Sequence, residues 1–262
     1  MTSRRDSLFL AGLVTPLVML GAYLLALMLA QGPFFEGERF REQLFSPDIL
    51  FAVKLSVGTA TVSALLALAV ALPSAYLLSR WHFPGKRLLD TFLDLPMVLT
   101  PIALGTLILM ALNTGPGMVL EQLGLTIPYT LLGVIAAQFT VVVAMAVRML
   151  KASFDEVSPR YEQVARTLGC SARGAFFRVS LPMVRSGILA AFVLTWARAI
   201  GEFGATVMVA GTARGKTATL PTSIYLAMAS ADLGRAVVLI SLLMCVSFSV
   251  LLILRLVVRG KS

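Results

Sequence analysis

The chain alternates long apolar blocks with short polar intervals, and the blocks are too long and too free of charge for an ordinary soluble core. At least five of them run for roughly 18 residues or more, close to the roughly 20 helical residues that span a bilayer core. Six spans are predicted, over residues 8–30, 49–78, 92–112, 129–149, 188–210 and 236–254. The third contains Pro96 and Pro101; proline is tolerated in a membrane helix where neighbouring helices or waters take up the freed carbonyls. The second is long and places Lys54 where its stem can snorkel to the headgroups. The first follows Arg4 and Arg5 but exceeds the apolar stretch of a signal peptide, and no clear small-x-small site follows it, so it reads as an uncleaved span. No interval is large enough for an independent domain. The fold class is therefore all-α integral membrane, with residues 1–262 as a single transmembrane domain.

Composition sharpens the class. Hydrophobic residues make up 58% and charged residues 13%, against about 45–50% and about 25% in soluble domains. The net charge of +9 would raise nucleic acid as a partner of a soluble domain. Here the basic residues sort between alternate intervals instead. With the N-terminus inside, the inner segments hold Arg4, Arg5, Arg80, Lys86, Arg87, Arg148, Lys151, Arg160, Arg166, Arg173, Arg178, Arg185, Arg255, Arg259 and Lys261. The outer segments hold only Arg39, Arg41, Arg214, Lys216 and Arg235. The positive-inside rule then places both termini in the cytoplasm. The charge serves topology and a lipid surface, with no nucleic acid as a partner.

Cys170 and Cys245 fall in different compartments of this scheme and His82 is the single histidine, so neither a disulfide nor a metal cluster is expected. No Ser/His pair, HExxH or paired membrane aspartates suggest an enzyme. No GxxxxGK[ST] loop is present, so this chain is not expected to hydrolyse ATP itself.

One inner interval stands apart, residues 151–187. Ser158 and Pro159 suit the cap and first position of a helix, and Tyr161, Val164, Ala165 and Leu168 follow at the spacing of one apolar face. Glu162 stands four before Arg166, an orientation that favours an ion pair. Gly169 suits a left-handed helix end. Ser171 then caps a second helix with Ala172, Ala175, Phe176 and Val179 on one face, and Leu181-Pro182 stops it. Such a helix–turn–helix could lie on anionic lipid or dock in a protein groove. The pair Phe176–Phe177 between Arg173 and Arg178 leans toward the groove, where aromatics and Arg are the enriched anchors.

This interval resembles the loop of permease subunits in bacterial ATP-binding-cassette importers. The family pattern is Glu-Ala-Ala, three residues, Gly, nine residues, Ile, one residue, Leu-Pro. It maps to Gln163-Val164-Ala165, Gly169, Val179 and Leu181-Pro182 with complete spacing. Gln163 and Val164 depart from the triplet, and Glu162 stands next to it. The resemblance implies a type I importer permease in a bacterial or archaeal cytoplasmic membrane. Its loop would insert into a cytoplasmic ATPase dimer that carries the ATP and Mg, and this chain would bind no cofactor. A separate extracytoplasmic protein would capture the substrate. With one loop per chain, a homodimer is the economical assembly.

Two further stretches, "DLPMVLTPIALGTLILMALNTGPG" from Asp94 and "ARAIGEFGATVMVAG" from Ala197, resemble oxyanion permeases. Molybdate and tungstate permeases are nearest and sulfate or thiosulfate permeases next, with Phe203 in the Gly201–Thr206 run favouring the former. Arg198 and Glu202 are the charges of the fifth span, spaced i, i+4. Intramembrane charge is costly and is a functional candidate by default. Two readings stay open: a mutual ion pair that orients the helix, or Arg198 favouring a dianion while Glu202 holds it. Gly201 and Gly204 allow close packing or a break. Thr195 and Thr206 could offer hydroxyls along the path, Thr206 being a path candidate, although such side chains in a membrane helix more often bond back to their own backbone. The third and fifth spans would line the path, with Pro96, Pro101 and Gly105 shaping a helix that flexes. An ion-coupled transporter is the rival from another class, but it leaves the loop unexplained.

Overall fold

The computed structural model describes residues 4–35 and 37–259. All regular structure among the described residues is helical. The helices are α1 (Arg4–Leu29), α2 (Gly37–Leu44), α3 (Pro47–Arg80), α4 (Lys86–Val98), α5 (Pro101–Leu112), α6 (Gly115–Gln122) and α7 (Leu131–Glu156). They continue as α8 (Arg160–Thr167), α9 (Ala172–Ala175), α10 (Leu181–Met183), α11 (Arg185–Ile200), α12 (Gly204–Ala210), α13 (Leu220–Ala229) and α14 (Leu233–Arg259).

Four helices are long and apolar enough to cross a membrane, and six spans result if each of two bent pairs counts as one. The expected spans appear at α1, α3, α7 and α14 with ends shifted by a few residues. Tyr129 adopts a left-handed conformation (φ 57°), so the fourth span starts at Leu131 rather than Tyr129. The third and fifth predicted spans are each interrupted. α4 and α5 meet at 111°. The break lies at Leu99 and Thr100, both extended, because a residue before proline is driven out of the helical region. Pro101 opens α5, and the Thr100 Oγ1 accepts from the Ala103 N–H. The fifth span is split at 201–203 into α11 and α12.

The bundle is organised around α3 and α7. One face of α3 carries Ser56, Ala60, Ser63, Ala64, Ala67, Ala71 and Ala75, all fully buried. Small residues let membrane helices approach closely, and packing replaces the hydrophobic drive that lipid removes. α7 meets this stripe with Ala137, Val141, Val142, Ala146 and Val147. α11 closes the core with Ala191, Trp196, Ala199 and Ile200, and the Trp196 indole N–H donates to Thr61 Oγ1 at 3.0 Å. A second cluster joins Ile49 and Ala52 of α3 to Leu220 and Ala227 of α13 and to Val238 and Leu239 of α14. The described side chains of α1 are exposed throughout; just beyond it, Gln31 accepts a hydrogen bond from Ser241 on α14.

Candidate functional site: a docking loop and a pair of broken helices

The helix–turn–helix is present between α7 and α11. α8 starts at Arg160, one residue later than expected, and the Ser158 Oγ accepts from the Arg160 N–H at 3.4 Å. Gly169 takes the left-handed conformation (φ 88°), and the Cys170 N–H reaches back to the Ala165 carbonyl at 3.0 Å. Ser171 caps α9 by accepting from the Gly174 N–H at 3.1 Å. A π-helical turn follows at Phe176–Ser180. Pro182 stands just beyond it; its ring crowds the carbonyl four residues back, which a widened turn accommodates. The chain then bends by 68° into α11.

Glu162 does not pair with Arg166. Its Oε1 accepts from Arg80 Nε at 2.7 Å and from Ser180 Oγ at 2.7 Å, and its Oε2 accepts from Tyr76 Oη at 2.8 Å. The Arg80 guanidinium also donates to the carbonyls of Phe154 at 3.0 Å and Val157 at 2.9 Å. The two charged side chains are 7% and 13% exposed, for Arg80 and Glu162 respectively. Tyr76, Phe154 and Phe176 pack around them, with Tyr76 and Phe176 ring centres 4.5 Å apart. Burial opposes ionisation of Glu162. The hydrogen bonds from Ser180, Arg80 and Tyr76 outweigh it and hold the carboxyl below its ordinary value.

The faces of the loop therefore differ from the sequence reading. Tyr161, Val164 and Leu168 turn outward, with Leu168 83% exposed, while Ala165 is half-buried. Phe177 is exposed, but Phe176 belongs to the attachment, so the aromatic pair is not an exposed unit. Val179 and Leu181 are half-buried; Gln163 and Pro182 are exposed. The loop thus presents exposed apolar side chains, Tyr161, Val164, Leu168 and Phe177, and exposed Arg166, Arg173 and Arg178, while it is tied down from behind.

The second site forms where the broken helices meet. Gly105 of α5 lies so close to α12 that an added Cβ would stand 2.7 Å from the Ala205 Cα and 2.8 Å from the Met208 Cβ. A Cβ on Gly204 would meet Ile102 Cγ1 at 3.0 Å and Pro101 Cβ at 3.1 Å. Gly201 sits at the break, where an added Cβ would meet only the carbonyl oxygens of Ala197 and Arg198, at 3.8 and 4.0 Å. Gly105→Ala is expected to force α5 from α12 and to cost about 1–3 kcal/mol, despite a better helix former. A lower melting temperature of the purified protein would report it.

Glu202 is fully buried and has two tasks. Its Oε2 accepts from Arg198 Nη1 at 2.6 Å, and its Oε1 accepts from the Ala205 N–H at 3.0 Å, satisfying a free donor of α12. The mutual ion pair is thus real. Arg198 retains more: its side chain is 39% exposed, and Nε and Nη2 carry no hydrogen bond among the described residues. Arg198 borders a cleft of about 190 Å³ that is also lined by Pro96, Met97, Leu99, Pro101, Val141 and Met145.

The structure brings Pro96, Pro101 and Arg198 to one cleft and packs Gly105 and Gly204 behind it. Phe203 instead stacks on Tyr225, 5.1 Å between ring centres. The Thr195 and Thr206 hydroxyls are buried without a hydrogen bond among the described residues, so neither bonds back to its helix as expected. Met97, Leu99, Val141 and Met145 were not singled out from the sequence. Thr100-Pro101, a cap followed by a first-turn proline, was the signal for the break that brings Leu99 there.

Residues 64–262 match the family model described as binding-protein-dependent transport system inner membrane component. A probable molybdenum ABC transporter permease of Haloferax volcanii is 38% identical over 238 residues, covering 90% of this chain and 83% of the relative. The molybdenum transport system permease ModB of Haemophilus influenzae is 37% identical over 177 residues, covering 66% of this chain and 77% of the relative. The sulfate transport system permease CysT of Salmonella typhimurium is 30% identical over 208 residues, covering 79% and 75%. A chain from a crystal structure of a bacterial ABC transporter involved in the import of alginate superposes with a TM-score of 0.74 at 17% identity, covering 98% of this chain and 96% of that one.

Proposed function

Because the chain belongs to the binding-protein-dependent transport system inner membrane components, we propose that it is the permease subunit of an ATP-driven importer for molybdate or tungstate. It works as a homodimer, with both termini in the cytoplasm. The outward side chains of Tyr161, Val164, Leu168 and Phe177 receive a cytoplasmic ATPase dimer that carries ATP and Mg. A separate extracytoplasmic protein delivers the oxyanion.

The observation that carries the reading is Arg198, a guanidinium in a broken span that has free N–H donors and borders a cleft. Charge-assisted donors of this kind suit a tetrahedral dianion. Glu202 behind it keeps the attraction modest, which suits passage rather than storage. A homodimer supplies two such groups to one dianion. Molybdenum permeases at 37% and 38% identity stand just above the sulfate permease CysW of Escherichia coli at 36% over 187 residues, so identity adds only slightly to the choice of oxyanion.

Reconstitution with the ATPase and the binding protein tests the substrate. ATP hydrolysis is expected to rise when the binding protein carries molybdate or tungstate, and to stay near its basal rate with sulfate. Stimulation by sulfate alone reverses the choice. Oxyanion uptake that proceeds without ATP points instead to an ion-coupled carrier.

A further inference from the structure

A third group of charges lies outside both sites, at the joint between α4 and α7. Arg148, about two turns before the end of α7, spends every guanidinium nitrogen on α4. Its Nε donates to Asp94 Oδ1, its Nη1 to Asp90 Oδ1 and its Nη2 to the Asp90 carbonyl oxygen, each at 2.6 Å. Asp90 and Asp94 stand four residues apart, on one face of α4. A planar fork that reaches two carboxylates and a carbonyl fixes orientation as well as distance.

α4 has little else to hold it. It packs on α7, but Leu88, Phe92 and Val98 are 76%, 67% and 79% exposed. The 111° break after Val98 also separates it from α5. Yet the end of α4 walls the cleft: Pro96, Met97 and Leu99 face it together with Val141 and Met145 of α7 and Arg198 of α11. Asp94 stands two residues before Pro96, and Arg148 one turn after Met145. The clamp is adjacent in sequence, on both helices, to the residues that shape the cleft.

α7 also reaches the docking loop. The Phe154 carbonyl, six residues beyond Arg148, accepts from Arg80 in the Glu162 attachment. Six residues of helix are about 9 Å. One rigid stretch of α7 thus joins the attachment of the loop to the clamp on α4.

We propose that Arg148 is a positioning residue: with Asp90 and Asp94 it latches α4 against α7 and keeps Pro96–Leu99 closed over the Arg198 cleft. Release of the latch swings α4 and opens the cleft. The proposal rests on the reading of that cleft as part of the transport path.

The test uses the full complex in nanodiscs and proteoliposomes. Both native cysteines are replaced by serine, and Val141→Cys, at a cleft-lining position 7% exposed, reports access to the cleft through a water-soluble maleimide. Arg148→Gln is expected to speed labelling of Val141→Cys by about tenfold, and to raise the ATP hydrolysed per oxyanion moved by a similar factor. Arg148→Lys, which keeps the charge without the fork, should fall between. The exchange Arg148→Asp with Asp94→Arg should restore slow labelling. If Arg148→Gln does not assemble, Asp90→Asn with Asp94→Asn removes the same attraction with the shape kept. Wild-type labelling in an assembled variant of either kind overturns the proposal, as does a charge exchange that labels as fast as Arg148→Gln. The labelling arm needs no substrate, so a wild-type complex that moves no molybdate would count against the oxyanion reading and leave the clamp decided on its own.

Discussion

Replacing Arg198 and Glu202 together by glutamine is expected to lower molybdate uptake by about 10- to 100-fold while the permease still assembles with its ATPase. The size follows from removing hydrogen bonds to a charged ligand, about 1.5–3 kcal/mol each. The double change matters. Arg198→Ala alone would leave Glu202, fully buried, with the Ala205 N–H as its remaining partner. Removing one member of a buried pair costs about 3–5 kcal/mol, so that variant mixes misfolding with lost transport. The paired glutamines keep a hydrogen bond at the break and remove both charges. Uptake into proteoliposomes, measured beside size-exclusion profiles of the complex, separates the effects. Wild-type uptake by the double variant would reduce Arg198 to a helix-orienting role. Glu202→Gln alone, which frees the guanidinium from its counter-charge, should tighten anion retention and slow release.

The second large effect is expected at the loop. Glu162→Ala strands Arg80, whose side chain is 7% exposed, and deletes the acceptor for Tyr76 and Ser180. Breaking such a pair costs about 3–5 kcal/mol. The loop should detach from α3, and stimulation of ATP hydrolysis by loaded binding protein should fall by more than about tenfold. Limited proteolysis between α7 and α11 should accelerate in parallel. Gln163→Ala, at an exposed position, should leave proteolysis unchanged even where it weakens ATPase contact. An equal acceleration by Gln163→Ala would contradict the assignment of Glu162 as the anchor. The pH dependence has a definite sign. The Glu162 carboxyl is held below its ordinary value of 4.5, so its contribution is complete above that value. It is lost only as the pH falls through the lower folded value. Attachment should therefore be constant across the neutral range.

Much of the architecture was legible because hydropathy and charge act at the scale of whole spans. α1, α3, α7 and α14 follow from block length alone. The breaks were legible as composition but not as geometry. Pro101 and Gly201 mark where a helix can stop, whereas the 111° angle and the close packing of α5 on α12 at Gly105 and Gly204 are set by partners distant in sequence. Long-range pairing was the harder limit. Helical spacing pointed Glu162 to Arg166, yet a guanidinium 82 residues earlier, at the end of α3, offered a drier and better satisfied partner. Arg148 was counted as one more inner basic residue. The i, i+4 pair Asp90 and Asp94 at the start of the third span was the available hint that it had specific partners. The short helices α2, α6 and α13 lay in intervals read only as loops.

The length of α3 bears on where coupling can occur. Its 34 residues extend about 51 Å at 1.5 Å per residue, and a tilt of about 20° shortens the projection only slightly. The hydrocarbon core is about 30 Å thick. Roughly a third of the helix must therefore stand clear of the acyl chains, and Tyr76 and Arg80 lie in its last turn or so. Charge favours the headgroup or aqueous layer over the acyl chains, so Glu162 and Arg80 belong to the projecting end of a rigid mast, shielded by protein rather than by lipid. Bilayer thickness then becomes a variable of transport. Thinner or thicker lipid shifts the height of the loop above the surface, and the same ATPase would have to reach for it at a different level.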